Sequence, residues 1–282
     1  MTVYIVRNTS KSNAISVALQ AAEILQCAGA KVIFEPSMRA FCKIENVEYL
    51  SEPAAFEYCD AVITVGGDGT ILHTAKECLQ YNRPILGINL GRTGFLATCE
   101  LEEMKNKLTR MARGEFDYDK RILLNAAEDG DYKKAKTALN DVVIYKGSRL
   151  QTIDFNIYCD DIRVIQCPGD GVIIATPTGS TAYSLSAGGP ILDARIEGIV
   201  VTMICAHSLN QPSMVFSADR HIRIEATAHG RNDIFISTDG EKEHRLKDGS
   251  YVEVELSQQS AHFVTFNPAD QFDAIDKKLR VR

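Results

Sequence analysis

The chain has 282 residues, of which 45% are hydrophobic and 24% are charged, the composition of a globular protein with one large or two ordinary domains. A net charge of −6 argues against nucleic-acid binding through bulk charge but leaves room for a local basic pocket that holds an anion. No apolar run reaches the roughly 18 residues of a membrane span, and we expect no signal sequence. The eight scattered cysteines lack a C-x-x-C pair, so we expect reduced thiols, no zinc site and a cytoplasmic protein.

Residues 1–118 alternate between strand-like and helix-like segments. This alternation is typical of a Rossmann-like α/β domain, in which a parallel sheet carries helices on its faces. Apolar runs predict the strands, and apolar residues at helical spacing predict the helices. The predicted strands are 3–6, 31–34, 61–65 and 84–89, and the predicted helices are 13–29 and 100–113.

The pattern changes in residues 119–266, where short β-rich runs are separated by turn residues. Many short strands of this kind predict a sandwich-like β domain. One interruption, residues 180–187, is rich in small residues and predicts a short helix. The predicted strands are 122–126, 138–145, 153–158, 172–175, 199–204, 221–226, 234–237, 251–256 and 262–266.

Residues 66–70, with the sequence GGDGT, form the most informative motif of the first domain. They follow the predicted strand 61–65 and begin a helix-like segment. Glycines tolerate positive φ and let a ligand approach the backbone, while the helix directs N–H groups and its positive dipole end at the same place. Asp68 is unexpected there because its charge repels phosphate, so we interpret it as a proton acceptor or a metal ligand.

Two motifs of the second domain have the composition of a nucleotide-binding surface. Residues 176–190 (TPTGSTAYSLSAGGP) are small and rich in hydroxyl groups, so they can surround a ligand closely and hydrogen-bond to it. Tyr183 offers a ring that can stack on a base. Asn140 and Asp141 interrupt the apolar strand 138–145, and buried polar groups need partners that a ribose or an amide supplies.

These motifs, in this order, resemble the NAD kinase family, which phosphorylates the 2′-hydroxyl of the adenosine ribose of NAD to give NADP. The resemblance covers nearly the whole chain and includes residues 87–96, a glycine-rich turn that ends in Gly-Phe-Leu. It implies an α/β domain over 1–118, a β-rich NAD-binding domain over 119–266, NAD in the crevice between them, and a tail, 267–282, that returns to the first domain. It also implies ATP as the donor, Mg²⁺, and a homo-dimer or homo-tetramer.

The resemblance also assigns roles to individual residues. Asp68 is implied as the general base, and the others are implied to contact the dinucleotide or, for His73, the phosphates. Asp141 stands where glutamate is commoner and is one methylene shorter, and Glu241 stands where glutamine is commoner and lacks its amide donor. The implied binding residues are Asp68, Gly69, His73, Phe95, Asn140, Asp141, Asp170, Thr181, Ala182, Tyr183, Ser184, Leu185, Ser186 and Glu241.

Each motif has a simpler interpretation when it is considered alone. The glycines of 66–70 then form only a tight turn, and Asn140 and Asp141 face water from an edge strand. Segment 176–189 becomes a packing site for a helix, His73 a surface histidine and Tyr183 a core residue.

Two other functions stay open at the level of sequence. One is a kinase of the same superfamily that acts on a lipid or a sugar phosphate, although no convincing amphipathic stretch favours a membrane surface. The other is a non-catalytic NAD-binding module, which has little use for an acid beside the phosphates. The sequence does not decide between ATP and polyphosphate as donor or between NAD and NADH as acceptor, and it does not give the oligomer size.

Overall fold

The computed structural model describes residues 1–91, 94–148, 151–228, 233–267, 272 and 274–276. The chain divides into two compact units, Met1–Lys120 with Ala261–Arg282, and Arg121–Ser260. Most of the tail 267–282, which we expect to return to the first domain, lies outside the described residues.

The first unit is a parallel sheet with helices on its faces. Its strands are ordered β5-β4-β1-β2-β3, and Phe263 of a later strand pairs with Ile85 at the β5 edge. Short 3-10 helices lie at Pro36–Ala40 and Leu101–Glu103. The elements are β1 (Thr2–Arg7), α1 (Ala14–Cys27), β2 (Lys31–Phe34), β3 (Val47–Tyr49), α2 (Glu52–Tyr58), β4 (Ala61–Gly66), α3 (Asp68–Tyr81), β5 (Ile85–Asn89) and α4 (Met104–Ala112).

Burial explains why these segments take these structures. All six positions of β4 are buried, as expected of a parallel strand covered on both faces. Helix α1 buries Val17, Ala21 and Leu25 at helical spacing, and this side packs with Ile63 and Val65 in one core. The glycine motif thereby lies where β4 ends and α3 begins, at the carboxyl edge of the sheet.

The second unit consists mainly of antiparallel strands. One sheet has the order β13-β12-β11-β8-β15-β16, and the other contains β10-β9-β14-β17, while β6 pairs with β17 and β7. Short 3-10 helices lie at Tyr132–Lys134 and Gly179–Thr181. The elements are β6 (Asp117–Glu128), β7 (Lys136–Ala138), β8 (Asp141–Lys146), β9 (Ile153–Cys159), β10 (Ile162–Gly169), β11 (Gly171–Ala175), α5 (Tyr183–Ser186), β12 (Gly198–Ile204), β13 (Met214–Ser217), β14 (Ile222–Ala228), β15 (Ile234–Thr238), β16 (His244–Arg245) and β17 (Tyr251–Thr265).

Alternation along β8 shows how the second unit separates its core from its ligand face. Val142 and Ile144 pack with Phe155 of the other sheet in the main core of the unit. Successive side chains of a strand point to opposite faces, so Asp141 and Val143 belong to the other face of β8. Val143 joins a small second cluster on that face.

The predicted fold class, an α/β domain followed by a β-sandwich, is confirmed. Two predicted segments are divided differently in the structure. The predicted strand 138–145 is two strands, because Leu139 and Asn140 donate their N–H groups to the Asp239 carboxylate rather than to a neighbouring strand. The predicted strands 251–256 and 262–266 form one strand, β17, whose polar middle is exposed at Gln258 and Gln259.

Sequence patterns gave no prediction for several elements, including the short α2, β3, β13 and β16 and the eight-residue β10, whose register shifts between Arg163 and Ile165. These elements are brief or lack alternation, so tertiary pairing decides them. No disulfide joins any of the cysteines, which all lie in the described ranges. No helix in the described part of the chain is long and apolar enough to cross a lipid bilayer.

Candidate active site

The backbone of the glycine motif differs from the expected turn. Gly67 lies at φ −118° and ψ −177°, an extended conformation open to any residue. Gly66 and Gly69 do not have positive φ either. The motif therefore does not use the positive φ that glycine tolerates, and β4 runs through extended backbone directly into α3. Asp68 is the first residue of that helix, where the dipole favours a negative charge.

The Asp68 carboxylate is fixed by the segment that follows β5. The Phe95 N–H donates to Oδ2 at 2.9 Å, and the Leu96 N–H donates to Oδ1 at 3.1 Å. A Cβ on Gly94 would lie 1.9 Å from Oδ1, so only glycine lets the carboxylate approach so closely. Each oxygen keeps a lone pair that can accept a further proton or hydrogen bond. The acid is therefore held in one orientation while retaining acceptor capacity.

A pocket of about 570 Å³ lies beside the glycine motif in the first unit. Its lining includes the backbone of Gly67 and Gly69 and the side chains of Asn8, Lys11 and His73. Asn8 Nδ2 donates to Thr70 Oγ1 at 2.7 Å, which attaches the loop after β1 to the motif. His73 is exposed, one turn into α3, so its imidazole is accessible to solvent and to a ligand. This combination of glycine backbone, helix N-terminus and basic side chains can bind a phosphate.

A second pocket, of about 580 Å³, lies in the second unit on the face of β8 opposite its core. Several residues that the resemblance implies for NAD contribute to it, although they come from distant parts of the chain. The predicted residues among its lining are Asn140, Asp141, Asp170, Ala182, Tyr183 and Glu241.

Asp239 organises the strand end that carries Asn140 and Asp141. Its Oδ1 accepts the N–H groups of Asn140 at 2.7 Å and Asp141 at 3.2 Å, and its Oδ2 accepts that of Leu139 at 2.9 Å. Asp239 and Gly240 both have positive φ, 55° and 70°, in the turn after β15. The carboxylate thus satisfies three successive backbone donors, two in the break between β7 and β8 and one at the first residue of β8.

Asp141 is buried in this arrangement, with 5% of its surface exposed. Its strand, β8, lies between β11 and β15, so the alternative in which the pair faces water from an edge strand is wrong. Within the described residues nothing donates a hydrogen bond to its carboxylate. Burial, together with the nearby Asp239 charge, raises the pKa of Asp141 to about 7. Near neutral pH this group therefore supplies both a donor and an acceptor to the pocket.

The hydroxyl-rich segment packs directly on the backbone at Asn140. Thr176 donates its N–H to Asn140 O at 2.9 Å and its hydroxyl to Leu139 O at 2.6 Å. The Gly179 N–H donates back to Thr176 Oγ1 at 3.0 Å. A Cβ on Gly179 would lie 1.9 Å from Asn140 O, a contact that neither backbone can relieve without moving. The two motifs that sequence reasoning treated separately are therefore one packed unit.

Gly179→Ala is expected to separate these motifs and to weaken NAD binding at least about tenfold, with a loss of about 1–3 kcal/mol of stability from overpacking. Isothermal calorimetry with NAD and urea unfolding measure the two effects. Gly188→Ala is the control for replacing a glycine in the same segment, because no atom lies within 4 Å of a Cβ at that position. Its positive φ of 91° adds backbone strain to the control variant but no steric contact. Unchanged NAD affinity in Gly179→Ala would contradict the importance of this contact.

The other implied residues of the segment differ in accessibility. Tyr183 is 47% exposed, so the interpretation as a core residue is wrong and its ring is open to a base. Ser184 is fully buried, and its hydroxyl hydrogen-bonds to Thr202 Oγ1 at 3.1 Å. Thr181, Ser184, Leu185 and Ser186 do not line the pocket of the second unit. Thr181 and Ser184 instead hold the segment in shape through hydrogen bonds.

Charged side chains border the pocket on its remaining sides. Lys146 Nζ forms an ion pair of 2.7 Å with Asp170, which places this implied residue at the pocket wall. Tyr145 donates its hydroxyl to Glu243. Glu241 is exposed in the turn after Asp239, and its N–H donates to Thr238 O at 3.0 Å. The pocket thus has both acidic and basic side chains around a partly apolar strand face.

Sequence reasoning assigned no role to three residues that the structure makes important: Asp239, Lys146 and Lys11. The Asp-Gly dipeptide at 239–240 is a turn signal, but the pattern does not say which N–H groups its carboxylate accepts. Lys146 and Lys11 had no local signal, because their partners lie far along the chain.

The fit of Mg²⁺ depends on the carboxylates available. The described residues contain no group of three or more His, Cys, Asp or Glu side chains that could hold a metal. Mg²⁺ is commonly held by one or two carboxylates together with substrate phosphates and water. The free lone pairs of Asp68 suit such a cation when ATP phosphates supply the other ligands.

Comparisons with known proteins give the family of the chain. The model of the ATP-NAD kinase N-terminal domain matches residues 3–116, and that of the ATP-NAD kinase C-terminal domain matches residues 139–266. An NAD kinase of Ruminiclostridium cellulolyticum is 36% identical over 226 residues, 79% of each chain. An NAD kinase of Acetivibrio thermocellus is 32% identical over 259 residues, 91% of this chain and 89% of the relative.

Two solved structures share the fold over the full length of this chain. The yeast NADH kinase complexed with NADH has a TM-score of 0.86 and 25% identity, with 100% of this chain and 88% of that chain covered. The Archaeoglobus fulgidus NAD kinase in complex with ATP has a TM-score of 0.76 and 23% identity, with 100% of both chains covered. Since both family models match and curated relatives exceed 30% identity over most of the sequence, the chain belongs to the ATP-NAD kinase family.

Proposed function

We propose that this chain transfers the terminal phosphoryl group of ATP to the 2′-hydroxyl of the adenosine ribose of NAD, which gives NADP and ADP. Membership of the ATP-NAD kinase family carries this proposal. The structural relatives were solved with NADH and with ATP, so both ligand classes are found within this fold. A lipid or sugar-phosphate kinase and a non-catalytic NAD module are not favoured by these relatives.

Asp68 is proposed as the general base. A ribose hydroxyl is a poor nucleophile, and a carboxylate within about 3 Å takes its proton while the oxygen forms its bond to phosphorus. The bond between that phosphorus and the bridging oxygen of ATP breaks, and ADP leaves with the electron pair. The two backbone donors that fix Asp68 support this role, because they orient the acid and leave each oxygen one lone pair.

Positioning and charge stabilisation supply the rest of the rate enhancement. When bound, Mg²⁺ neutralises charge that develops on the phosphates. The glycine backbone and the start of α3 are proposed to hold the donor phosphates, with His73 nearby. Gly69 and Phe95 are proposed to border the NAD site.

The pocket of the second unit is proposed to hold NAD. Its polar groups come from strand ends fixed by Asp239, and Tyr183 offers an exposed ring for stacking on the adenine. A protonated Asp141 can donate a hydrogen bond to a ribose oxygen as well as accept one, which offsets its shorter reach relative to glutamate. The lining residues proposed to contact NAD in this unit are Asn140, Asp141, Asp170, Ala182, Tyr183 and Glu241. Thr181, Ser184, Leu185 and Ser186, which do not line the pocket, are proposed to belong to the NAD site by shaping the segment that carries Ala182 and Tyr183.

Further proposals follow from the resemblance to the family. The domains are proposed as residues 1–118 with the tail 267–282, and residues 119–266. We also propose a homo-dimer or homo-tetramer in the cytoplasm that requires Mg²⁺. Size-exclusion chromatography with light scattering measures the oligomer, and chelation followed by Mg²⁺ addition tests the metal requirement.

One assay tests the function directly. Purified protein is incubated with Mg²⁺, NAD or NADH, and either ATP or polyphosphate, and NADP(H) is measured with an NADP-specific dehydrogenase. NADP formation from ATP and NAD supports the proposal. If no NADP forms and labelled ATP phosphorylates a lipid or a sugar phosphate, the protein is instead a kinase for that acceptor. Tight NAD binding without any phosphoryl transfer would favour a non-catalytic binding module.

A further inference from the structure

Lys11, in the loop that follows β1, has no role assigned by the motifs of the sequence. We propose that Lys11 binds the phosphoanhydride chain of the phosphoryl donor and distinguishes a bound donor from a bare nucleoside. This inference rests on the proposed function, and it specifies which side chain holds the donor in the first unit.

The fold brings the Lys11 loop to the glycine motif. Strands β1 and β4 are parallel neighbours with Arg7 paired to Val65, so their carboxyl ends share one edge of the sheet. Asn8 donates its backbone N–H to Val65 O at 2.9 Å and its side-chain amide to Thr70 Oγ1 at 2.7 Å. These bonds fix the loop against both the last strand residues and the first turn of α3.

The Lys11 ammonium lies over two glycine segments. Its Nζ is 3.7 Å from the position of a Cβ on Gly67 and 2.7 Å from that of a Cβ on Gly91. It donates to Leu90 O at 3.2 Å, and none of the described carboxylates forms an ion pair with it. An ammonium has three donors, so this half-buried group retains hydrogen-bonding capacity towards the pocket of about 570 Å³ that it lines.

Lys11 differs from Arg7, the other strongly basic residue of the pocket lining, because Arg7 is paired with an acid. Arg7 forms an ion pair of 3.5 Å with Glu35 and donates to the Met38 sulfur at 3.0 Å. Of the acids nearby, Glu52 lines the pocket, and the Asp68 carboxylate of the motif accepts N–H groups from Phe95 and Leu96. A cation beside exposed glycine backbone and the positive end of a 14-residue helix is a combination that phosphates bind.

The test compares three variants with the wild type. Lys11→Met removes the charge, Lys11→Gln removes it but keeps a donor for Leu90 O, and Lys11→Arg keeps both. Lys105→Met, on the exposed side of α4, is the control for loss of one lysine charge in the same unit. Binding of inorganic tripolyphosphate and of ATP with Mg²⁺ is measured by calorimetry, and KM values for ATP, polyphosphate and NAD are measured in the NADP assay.

We expect Lys11→Met and Lys11→Gln to weaken tripolyphosphate and ATP binding about 10- to 100-fold, the loss typical of a charge-assisted hydrogen bond. The KM for the donor should rise with little change in the KM for NAD, while Lys11→Arg and Lys105→Met should bind tripolyphosphate like the wild type. If polyphosphate is also a donor, its KM should rise in parallel with that of ATP.

Two results would overturn the assignment. One is wild-type affinity for tripolyphosphate in Lys11→Gln. The other is an equal loss of NAD and donor affinity in that variant, which would indicate that Lys11 only supports the chain at Leu90. A wild-type protein that binds tripolyphosphate through Lys11 but forms no NADP would contradict the proposed function and leave the Lys11 assignment intact.

Discussion

Asp68→Asn is expected to lower the rate of NADP formation by about 10²–10⁴-fold, the usual contribution of a general base. The amide cannot accept the ribose proton. It also presents an NH₂ group to one of the two backbone donors, Phe95 N–H or Leu96 N–H, so a stability loss of about 1–3 kcal/mol should accompany the loss of activity. Steady-state NADP formation and thermal unfolding, measured on one preparation, report both effects.

A matched control separates the chemistry from the structural role of the carboxylate. Asp60 is an exposed acid of the same unit that accepts the Thr2 N–H at 2.7 Å, so Asp60→Asn makes the same change at a backbone-bonded carboxylate at the opposite end of β4 from the motif. We expect Asp60→Asn to keep wild-type turnover. A near-wild-type rate in Asp68→Asn would remove Asp68 from the mechanism, and an equal rate loss in both variants would attribute the effect to stability.

Asp141→Asn is expected to stabilise the protein most at pH 8, and by a smaller amount of at most about 1.6 kcal/mol at pH 5. The Asp141 pKa is about 7 in the folded protein against an ordinary value of 3.8, so the folded state binds this proton more tightly than the unfolded state. The free energy of unfolding of the wild type therefore falls as pH rises from about 4 to about 7. Above pH 7 this group causes no further decrease.

The size of this effect follows from the pKa difference. Each pKa unit corresponds to about 1.4 kcal/mol, so a rise from 3.8 to about 7 gives an upper limit of about 4 kcal/mol at pH 8. Asparagine has a similar shape and no charge, so it removes this pH-dependent cost. Urea unfolding of wild type and variant at pH 5 and pH 8, without ligand, measures the difference.

An exposed aspartate provides the comparison for this experiment. Asp219 is exposed in the same unit, and Asp219→Asn should shift stability little at either pH. The carbon chemical shift of the Asp141 carboxyl, followed by NMR against pH, reads the pKa directly. An equal stability of wild type and Asp141→Asn at both pH values, or an Asp141 midpoint near 4, would show that the carboxylate is solvated or paired.

Sequence patterns predicted the architecture because the two halves differ in periodicity. Before residue 118, apolar strands alternate with amphipathic helices. Such segments bury their apolar faces in few architectures other than a parallel sheet covered by helices. Short alternating strands afterwards form a sandwich, and both predictions are confirmed. Patterns failed where the cause was not local, as at Leu139 and Asn140, whose N–H groups bond to an acid about 100 residues away.

The amino-acid sequence by itself determined the fold class and the family, because periodicity, glycine placement and motif order are properties of neighbouring residues. Tertiary structure alone decided what those residues touch. It turned Asp68 towards the backbone of residues 95 and 96, buried Asp141 with a pKa near 7, and brought Lys11 over Gly67 and Gly91. Hydrogen bonding, desolvation and charge depend on atoms that are close in space, and spacing along the chain does not specify which distant atoms those are.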